Sequence, residues 1–159
     1  MEELDDIYEV HKNLYIGAYY PRFNFKKFKK EGITAIVNLM VESHYNPRPL
    51  GYAYLHRGFP DETYLSHRFL QDILDFIDKH IKKGKVLVHC AMGISRSGAA
   101  IVAWLLKEKP DWSWNDAFDY VNKSILDYFE NLEGKRRVYF SEAIIFLFST
   151  FIFRDLKLF

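Results

Sequence analysis

The chain holds a single cysteine, Cys90, among 159 residues. That excludes an intrachain disulfide and any cysteine-rich zinc site. Excess charge is missing as well: 22 Lys plus Arg against 21 Asp plus Glu leave a formal net charge of +1. A strongly basic nucleic-acid binder would show one dominant sign, so no nucleic-acid partner is expected. Long apolar runs are absent. The longest uncharged run, at 143–153, falls short of the roughly 18–20 residues that a membrane span needs. The opening MEELDDIYEV is acidic and has no apolar core of the kind a signal peptide carries. A cytoplasmic setting, where a lone thiol stays reduced, is therefore expected.

What is present is a dense apolar and aromatic complement. Hydrophobic residues make up 49% of the chain, aromatics 18% and charged residues 27%, which excludes intrinsic disorder. The length suits one domain, and no linker, repeat or low-complexity tract divides residues 1–159. The 143–153 run reads as a buried terminal helix; if a face of it were uncovered, it would offer a self-association surface.

Strand and helix patterns alternate along the chain. Residues 13–17 read as a short strand, and residues 23–31, stopped by Gly32, as a helix with a glycine cap. Residues 34–39 are β-branched and apolar, a candidate buried strand, and residues 52–56 suggest another. Over 63–83, Leu65, Phe69, Leu70, Ile73, Phe76, Ile77 and Ile81 share one helical face. Asp72, Asp75 and Asp78 fall on the opposite, solvated face. Residues 85–89 read as a central strand. A nearly all-apolar helix follows, ended by Pro110. Ser113 and Asp116 fit a capping box opening the next helix, with Trp114, Phe118 and Val121 as its apolar stripe. Gly134 separates that helix from the last one. The pattern implies an α/β single domain, with a central, mostly parallel sheet of four to five strands flanked by helices.

One segment carries chemistry. An apolar strand ends at His89 and Cys90, a loop through Ala91, Met92, Gly93, Ile94 and Ser95 follows, and a helix begins near Arg96. A helix N-terminus presents backbone N–H groups and partial positive charge, and a short loop feeding it can form a phosphate-sized nest. Gly93 gives that loop backbone freedom. A cysteine at the mouth of the nest has its thiolate stabilised. Arg96, six residues on, brings a planar fork that can grip two phosphate oxygens, as a lysine cannot. Alone, Cys90 would read as a small buried hydrophobe and Arg96 as a surface cation. Together at this spacing, a nucleophile, an anion cradle and a guanidinium clamp are what phosphoryl transfer through cysteine requires. His11, His44, His56, His67 and His80 form no ligand spacing, so neither a metal nor any other cofactor is expected.

The run His89-Cys90-Ala91-Met92-Gly93-Ile94-Ser95-Arg96-Ser97 resembles the His-Cys-x-x-Gly-x-x-Arg-[Ser/Thr] signature of cysteine-based protein phosphatases. Gly-Ile-Ser-Arg-Ser followed by Gly-Ala is similar to their dual-specificity branch, and residues 14–17 and 32–39 resemble that branch's early elements. The resemblance implies a protein tyrosine phosphatase-like fold and hydrolysis of phosphotyrosine, phosphoserine or phosphothreonine in phosphorylated proteins. It implies Cys90 as nucleophile, Arg96 as phosphate clamp, Ser97 as hydrogen-bond donor to the thiolate, and His89 as a residue supporting the cysteine. It also implies an aspartate general acid on a mobile loop about thirty residues upstream, for which Asp61 is the candidate. Asp61 capping the following helix, or Glu62 as the acid, are the other readings. An enzyme of the same fold acting on phosphoinositides or RNA 5′-phosphates, and a phosphate-binding module without turnover, are the competing functions. The Arg-Pro and Asn that family members carry after the fourth helix, to buttress the phosphate loop, have no clear match in Val121-Asn122-Lys123-Ser124. The resemblance therefore leaves that support unassigned.

Overall fold

The computed structural model describes residues 7–19, 23–60, 63 and 65–131. Its elements are β1 (Ile7–His11), β2 (Leu14–Ala18), α1 (Phe25–Glu31), β3 (Ile33–Asn38), β4 (Ala53–His56), α2 (His67–Ile81), β5 (Lys85–Cys90), α3 (Ser95–Glu108) and α4 (Trp114–Asn131). The strands form one five-stranded sheet in the order β1-β2-β5-β3-β4. β1 runs antiparallel to β2, and the other pairings are parallel. The expected sheet is thus present with five strands. The strand missing from the sequence pattern is β1, whose half-buried residues alternate weakly beside an acidic terminus.

Alternation along the strands sorts the core into two layers. Leu14, Ile16, Ala35, Val37, Val86 and Val88 face a large cluster with Leu70, Ile73, Leu74 and Ile77 of α2, Ile101 and Leu105 of α3, and Val121 of α4. Tyr15, Ile36 and Leu87 point to the other face, against Phe28 of α1. Truncating a fully buried side chain such as Ile77 or Leu105 to alanine should cost about 2–5 kcal/mol.

Local signals set the helix ends. Asn24 caps α1, its side chain accepting from the Lys27 N–H at 3.2 Å, and Gly32 closes it with φ +82°. α2 starts later than the 63–83 pattern indicated, because Ser66 caps it by accepting from the Phe69 N–H. The Ser113–Asp116 box is reciprocal: Ser113 Oγ accepts from the Asp116 N–H at 3.2 Å, and Asp116 accepts from the Ser113 N–H at 2.7 Å. The buried stripe of α4 is Ala117, Val121 and Ile125, so Trp114 and Phe118 lie beside it, half-buried and stacked on each other. Asp78 is not solvated as expected. It accepts from Trp104 Nε1 at 2.7 Å and pairs with Lys107, tying α2 to α3. The Gly134 break, the 143–153 run, Asp61 and Glu62 lie outside the described residues. Among the described residues, no helix is long and apolar enough to cross a membrane.

Candidate active site

β5 lies in the middle of the sheet, with β2 on one side and β3 on the other. The chain leaves β2 for β3 and returns to the gap only with β5, so the strand order switches there. The crevice outside the carboxyl ends of the strands at such a point is where open α/β sheets bind ligands. Cys90 is the last residue of β5, opposite Ala18 at the end of β2.

Adjacent residues on a strand point to opposite faces, and this separates His89 from Cys90. Cys90, 2% exposed, faces the layer of α2 and α3. Its Sγ lies 3.3 Å from Ser97 Oγ, in the first turn of α3. His89, fully buried, faces the other way and sits against the rings of Phe23, Tyr45 and Tyr19. Its Nδ1 is 3.3 Å from the Cys90 carbonyl and its Nε2 is 2.5 Å from the Tyr45 hydroxyl. Burial drives the His89 pKa down from 6.5 to about 3; Arg96 and His56 push the same way, and the bond to the Cys90 carbonyl opposes them. The ring is therefore held neutral, with Nδ1 against the Cys90 carbonyl.

The loop of residues 91–94 turns from β5 into α3. Gly93 has φ +68°, and a Cβ there would lie 2.7 Å from the Gly17 carbonyl carbon and 2.8 Å from the Ala18 nitrogen. Glycine is thus required twice, for its backbone angle and for close approach to the end of β2. From the same edge the Tyr19 N–H donates to the carbonyls of Cys90 and Ala91, each at 3.1 Å. Ile94 at the N-cap of α3 makes no side-chain cap, and the first turn of α3 contains no acidic residue. A helix start without a capping side chain directs its amides and partial positive charge toward an incoming anion. Ala91 is half-buried, Ile94 and Ser95 are buried, and Met92 stands out at the rim, 61% exposed.

Arg96 is half-buried. Its Nη1 donates to the Phe59 carbonyl at 3.0 Å and toward the Leu39 carbonyl at 3.4 Å. Phe59 belongs to the segment leading to Asp61, and that stem is tightly held. The Arg57 N–H donates to the Asn38 carbonyl at 2.9 Å, Arg57 pairs with Asp72 of α2, and Phe59 is 4% exposed. Gly58 lies flush against the end of β3; a Cβ there would be 1.9 Å from the Met40 carbonyl oxygen.

The structure therefore brings together His89, Cys90, the loop from Ala91 to Ser95, Arg96 and Ser97, and places the approach to Asp61 against Arg96. The motif spacing did not point to Tyr45, the Tyr19 amide or the Phe59 carbonyl, because none is near Cys90 in sequence. The one available signal was the concentration of aromatic residues at 19–25 and 45–54. Among the described residues, no group of three His, Cys, Asp or Glu side chains is placed to hold a metal ion. Chemically, the arrangement places a buried thiol at the end of a strand, beside an uncapped helix start and a half-buried guanidinium.

The family model described as "Dual specificity phosphatase, catalytic domain" matches residues 14–146. The human protein named "Protein phosphatase Slingshot homolog 2" is 28% identical over 123 residues, covering 76% of this chain and 8% of that protein. The human "Dual specificity protein phosphatase 7" is 34% identical over 114 residues, covering 69% of this chain and 27% of that protein. The chain thus spans less than a third of the length of these two relatives. Among solved structures, the active form of Tk-PTP superposes with a TM-score of 0.67 at 25% identity, covering 76% of this chain and 85% of that one.

Proposed function

Because the chain belongs to the dual specificity phosphatase catalytic-domain family, we propose that it is a protein phosphatase that hydrolyses phosphotyrosine, and phosphoserine or phosphothreonine, through a cysteinyl-phosphate intermediate. The observation that carries this is the Cys90 Sγ to Ser97 Oγ contact of 3.3 Å beneath the Gly93 loop. The loop amides and Arg96 seat the phosphate dianion with its phosphorus above the sulfur. The Cys90 thiolate attacks in line: the S–P bond forms as the P–O bond to the side chain breaks. The departing oxygen takes a proton, for which Asp61 is the donor. A water then attacks phosphorus, gives its proton to the same carboxylate and expels the thiolate, which the Ser97 hydroxyl stabilises. Inorganic phosphate leaves and the enzyme is restored without a metal or other cofactor.

Substrate class follows from the loop's charge. Ala91, Met92, Ile94 and Ser95 are uncharged, so Arg96 is the loop's one cationic side chain, enough for one phosphate. A polyanionic inositol headgroup or an RNA 5′-triphosphate would need further cations there. Phosphorylated proteins are thus the partners, and a cytoplasmic setting suits a catalytic thiol.

The test is a panel of matched phosphotyrosine and phosphothreonine peptides, with inositol phosphates and RNA 5′-triphosphate alongside. Phosphotyrosine should be turned over at least as fast as phosphothreonine, and Cys90→Ser should abolish turnover while retaining vanadate binding. Higher kcat/KM on a phosphoinositide or on RNA than on every peptide would replace this substrate class. Vanadate binding with no turnover of any phosphate monoester would indicate a binding module.

A further inference from the structure

The pairing of β3 with β4 stops at one residue, and side chains stop it. Asn38 and His56 are partners in register, and the Asn38 carbonyl accepts from the Arg57 N–H at 2.9 Å. In a parallel ladder the bonding residue of a strand recurs at every second position. The next two bonds would therefore run from the Met40 N–H to the Arg57 carbonyl and from the Phe59 N–H to the Met40 carbonyl. Both are replaced. The Met40 N–H donates to Asn38 Oδ1 at 2.9 Å. The Met40 carbonyl accepts from Nε2 of the half-buried His56 at 2.7 Å. A carbonyl only accepts, so Nε2 carries a hydrogen whether the ring holds one proton or two. With both groups of Met40 taken, the Phe59 N–H falls back one residue and donates toward the Leu39 carbonyl at 3.4 Å.

This slip decides what Arg96 can reach. Its Nη1 donates to the Phe59 carbonyl at 3.0 Å and lies 3.4 Å from the Leu39 carbonyl, so the guanidinium is held by the two residues that the slip pairs. A regular ladder would put the Phe59 N–H on Met40 instead. Phe59 would then sit one residue further along β3, a shift of about 3.3 Å. A bond of 3.0 Å does not survive a displacement of that size. The position of Arg96 therefore depends on which donor the Met40 carbonyl takes.

We propose that His56 is a positioning residue for Arg96: by holding the Met40 carbonyl it ends the β3–β4 ladder early, and so sets the Phe59 carbonyl where it grips the guanidinium. The side chain at the end of β4 thus acts on the phosphate loop through the backbone of the segment between them. The proposal rests on the phosphatase reading for its effect on turnover, but not for its effect on oxyanion binding.

The experiment compares the parent protein with His56→Leu and His56→Gln. It measures vanadate affinity by calorimetry and kcat/KM on an aryl phosphate with a good leaving group. Such a substrate needs a donated proton least, so its turnover reports Arg96 rather than the acid. His56→Leu keeps apolar bulk and loses the donor. Vanadate affinity and kcat/KM should both fall about tenfold, as for a small misplacement of a binding group. His56→Gln sets an amide N–H near the lost one and should restore both. In an Arg96→Ala background, His56→Leu should lower vanadate affinity no further, because the group it positions is gone. A crystal structure of His56→Leu should show the Phe59 N–H on the Met40 carbonyl. The proposal fails if His56→Leu leaves vanadate affinity unchanged or keeps Phe59 on Leu39. It fails equally if His56→Gln is as impaired as His56→Leu, or if the loss persists in Arg96→Ala. If the vanadate results hold but no phosphate monoester is turned over, the positioning role stands and the phosphatase reading falls. Should His56→Leu not fold, His56→Asn takes its place, since its amide stops one carbon short of the carbonyl.

Discussion

Arg96 Nη1 donates to the Phe59 carbonyl at 3.0 Å, so the guanidinium assigned to the phosphate also grips the stem of the segment that carries Asp61. The two halves of the proposed chemistry, anion binding and proton donation, meet in that bond. It joins the start of α3 to the segment after β4, and Gly58 sets how closely that segment can approach the end of β3.

Gly58→Ala tests this coupling. The added Cβ would lie 1.9 Å from the Met40 carbonyl oxygen, so the stem must move. A stability loss of about 1–3 kcal/mol is expected from the overpacking. The specific signature is in the leaving group. Alkyl phosphates, which need a proton on the departing oxygen, should suffer at least about ten times more than aryl phosphates with good leaving groups. A parallel loss on both classes would mean that the stem does not position the acid.

Gly93→Ala should damage the anion nest itself. Its φ of +68° and the 2.7 Å approach to the Gly17 backbone leave no room for a methyl group. Strain of about 1–3 kcal/mol is expected. Vanadate affinity, read by calorimetry, should fall about tenfold or more as the loop amides lose their alignment. Unchanged affinity would show that the loop tolerates separation from β2.

Ser97→Ala should act on the second half of the cycle. The Ser97 hydroxyl, 3.3 Å from Cys90 Sγ, stabilises sulfur most when it carries full negative charge as the leaving group. Breakdown of the cysteinyl phosphate should slow by about 10- to 100-fold, the worth of a hydrogen bond to a charged group. A pre-steady-state burst of the alcohol product should then appear or grow in stopped-flow traces. An unaltered ratio of burst to steady-state rate would remove Ser97 from the kinetic scheme.

His89 should also leave a mark on stability against pH. Its folded pKa is lowered from 6.5 to about 3, chiefly by burial, so the folded state favours the neutral ring. The stabilisation from this group is full above pH 6.5 and declines as pH falls, because the unfolded chain takes up the proton first. The loss runs at about 1 kcal/mol for each pH unit between roughly 6 and 3. His11 and His80 are shifted in the same direction, so the measurement is a comparison. Urea midpoints taken at pH 7 and pH 4.5 should differ more for the parent protein than for His89→Asn. Equal differences would mean that His89 is not held neutral.

Those residues whose placement depends on neighbours in sequence were legible from sequence alone. Cys90, Gly93, Arg96 and Ser97 lie within one strand–loop–helix unit, and strand alternation, a glycine and a helix start fix their relation. The parallel strands and α2 were readable because burial imposes its period on a long apolar stripe. β1 was not, since an edge strand buries only part of one face and its residues are mixed. The true stripe of α4 was hidden because Ala117 is small, whereas Trp114 and Phe118 are conspicuous but only half-buried. Tyr45 was out of reach for a different reason. It sits in an irregular segment 44 positions from His89, and only the pairing of β3 with β5 brings them together. Whether Asp61 delivers the proton is left to the leaving-group experiment.

The solitary thiol, 2% exposed at the floor of the nest, has a further consequence. Peroxide would convert it to a sulfenic acid, and no second cysteine exists in the chain to trap that species as an internal disulfide. The routes back are condensation with a neighbouring backbone nitrogen, or a thiol from outside this sequence that enters the crevice, condenses with the sulfur and is then exchanged away. On the proposed reading, the loop that seats phosphate would thus also decide which thiol reaches the sulfur. Where free thiol is scarce, a second oxidation to the sulfinic acid makes the loss permanent.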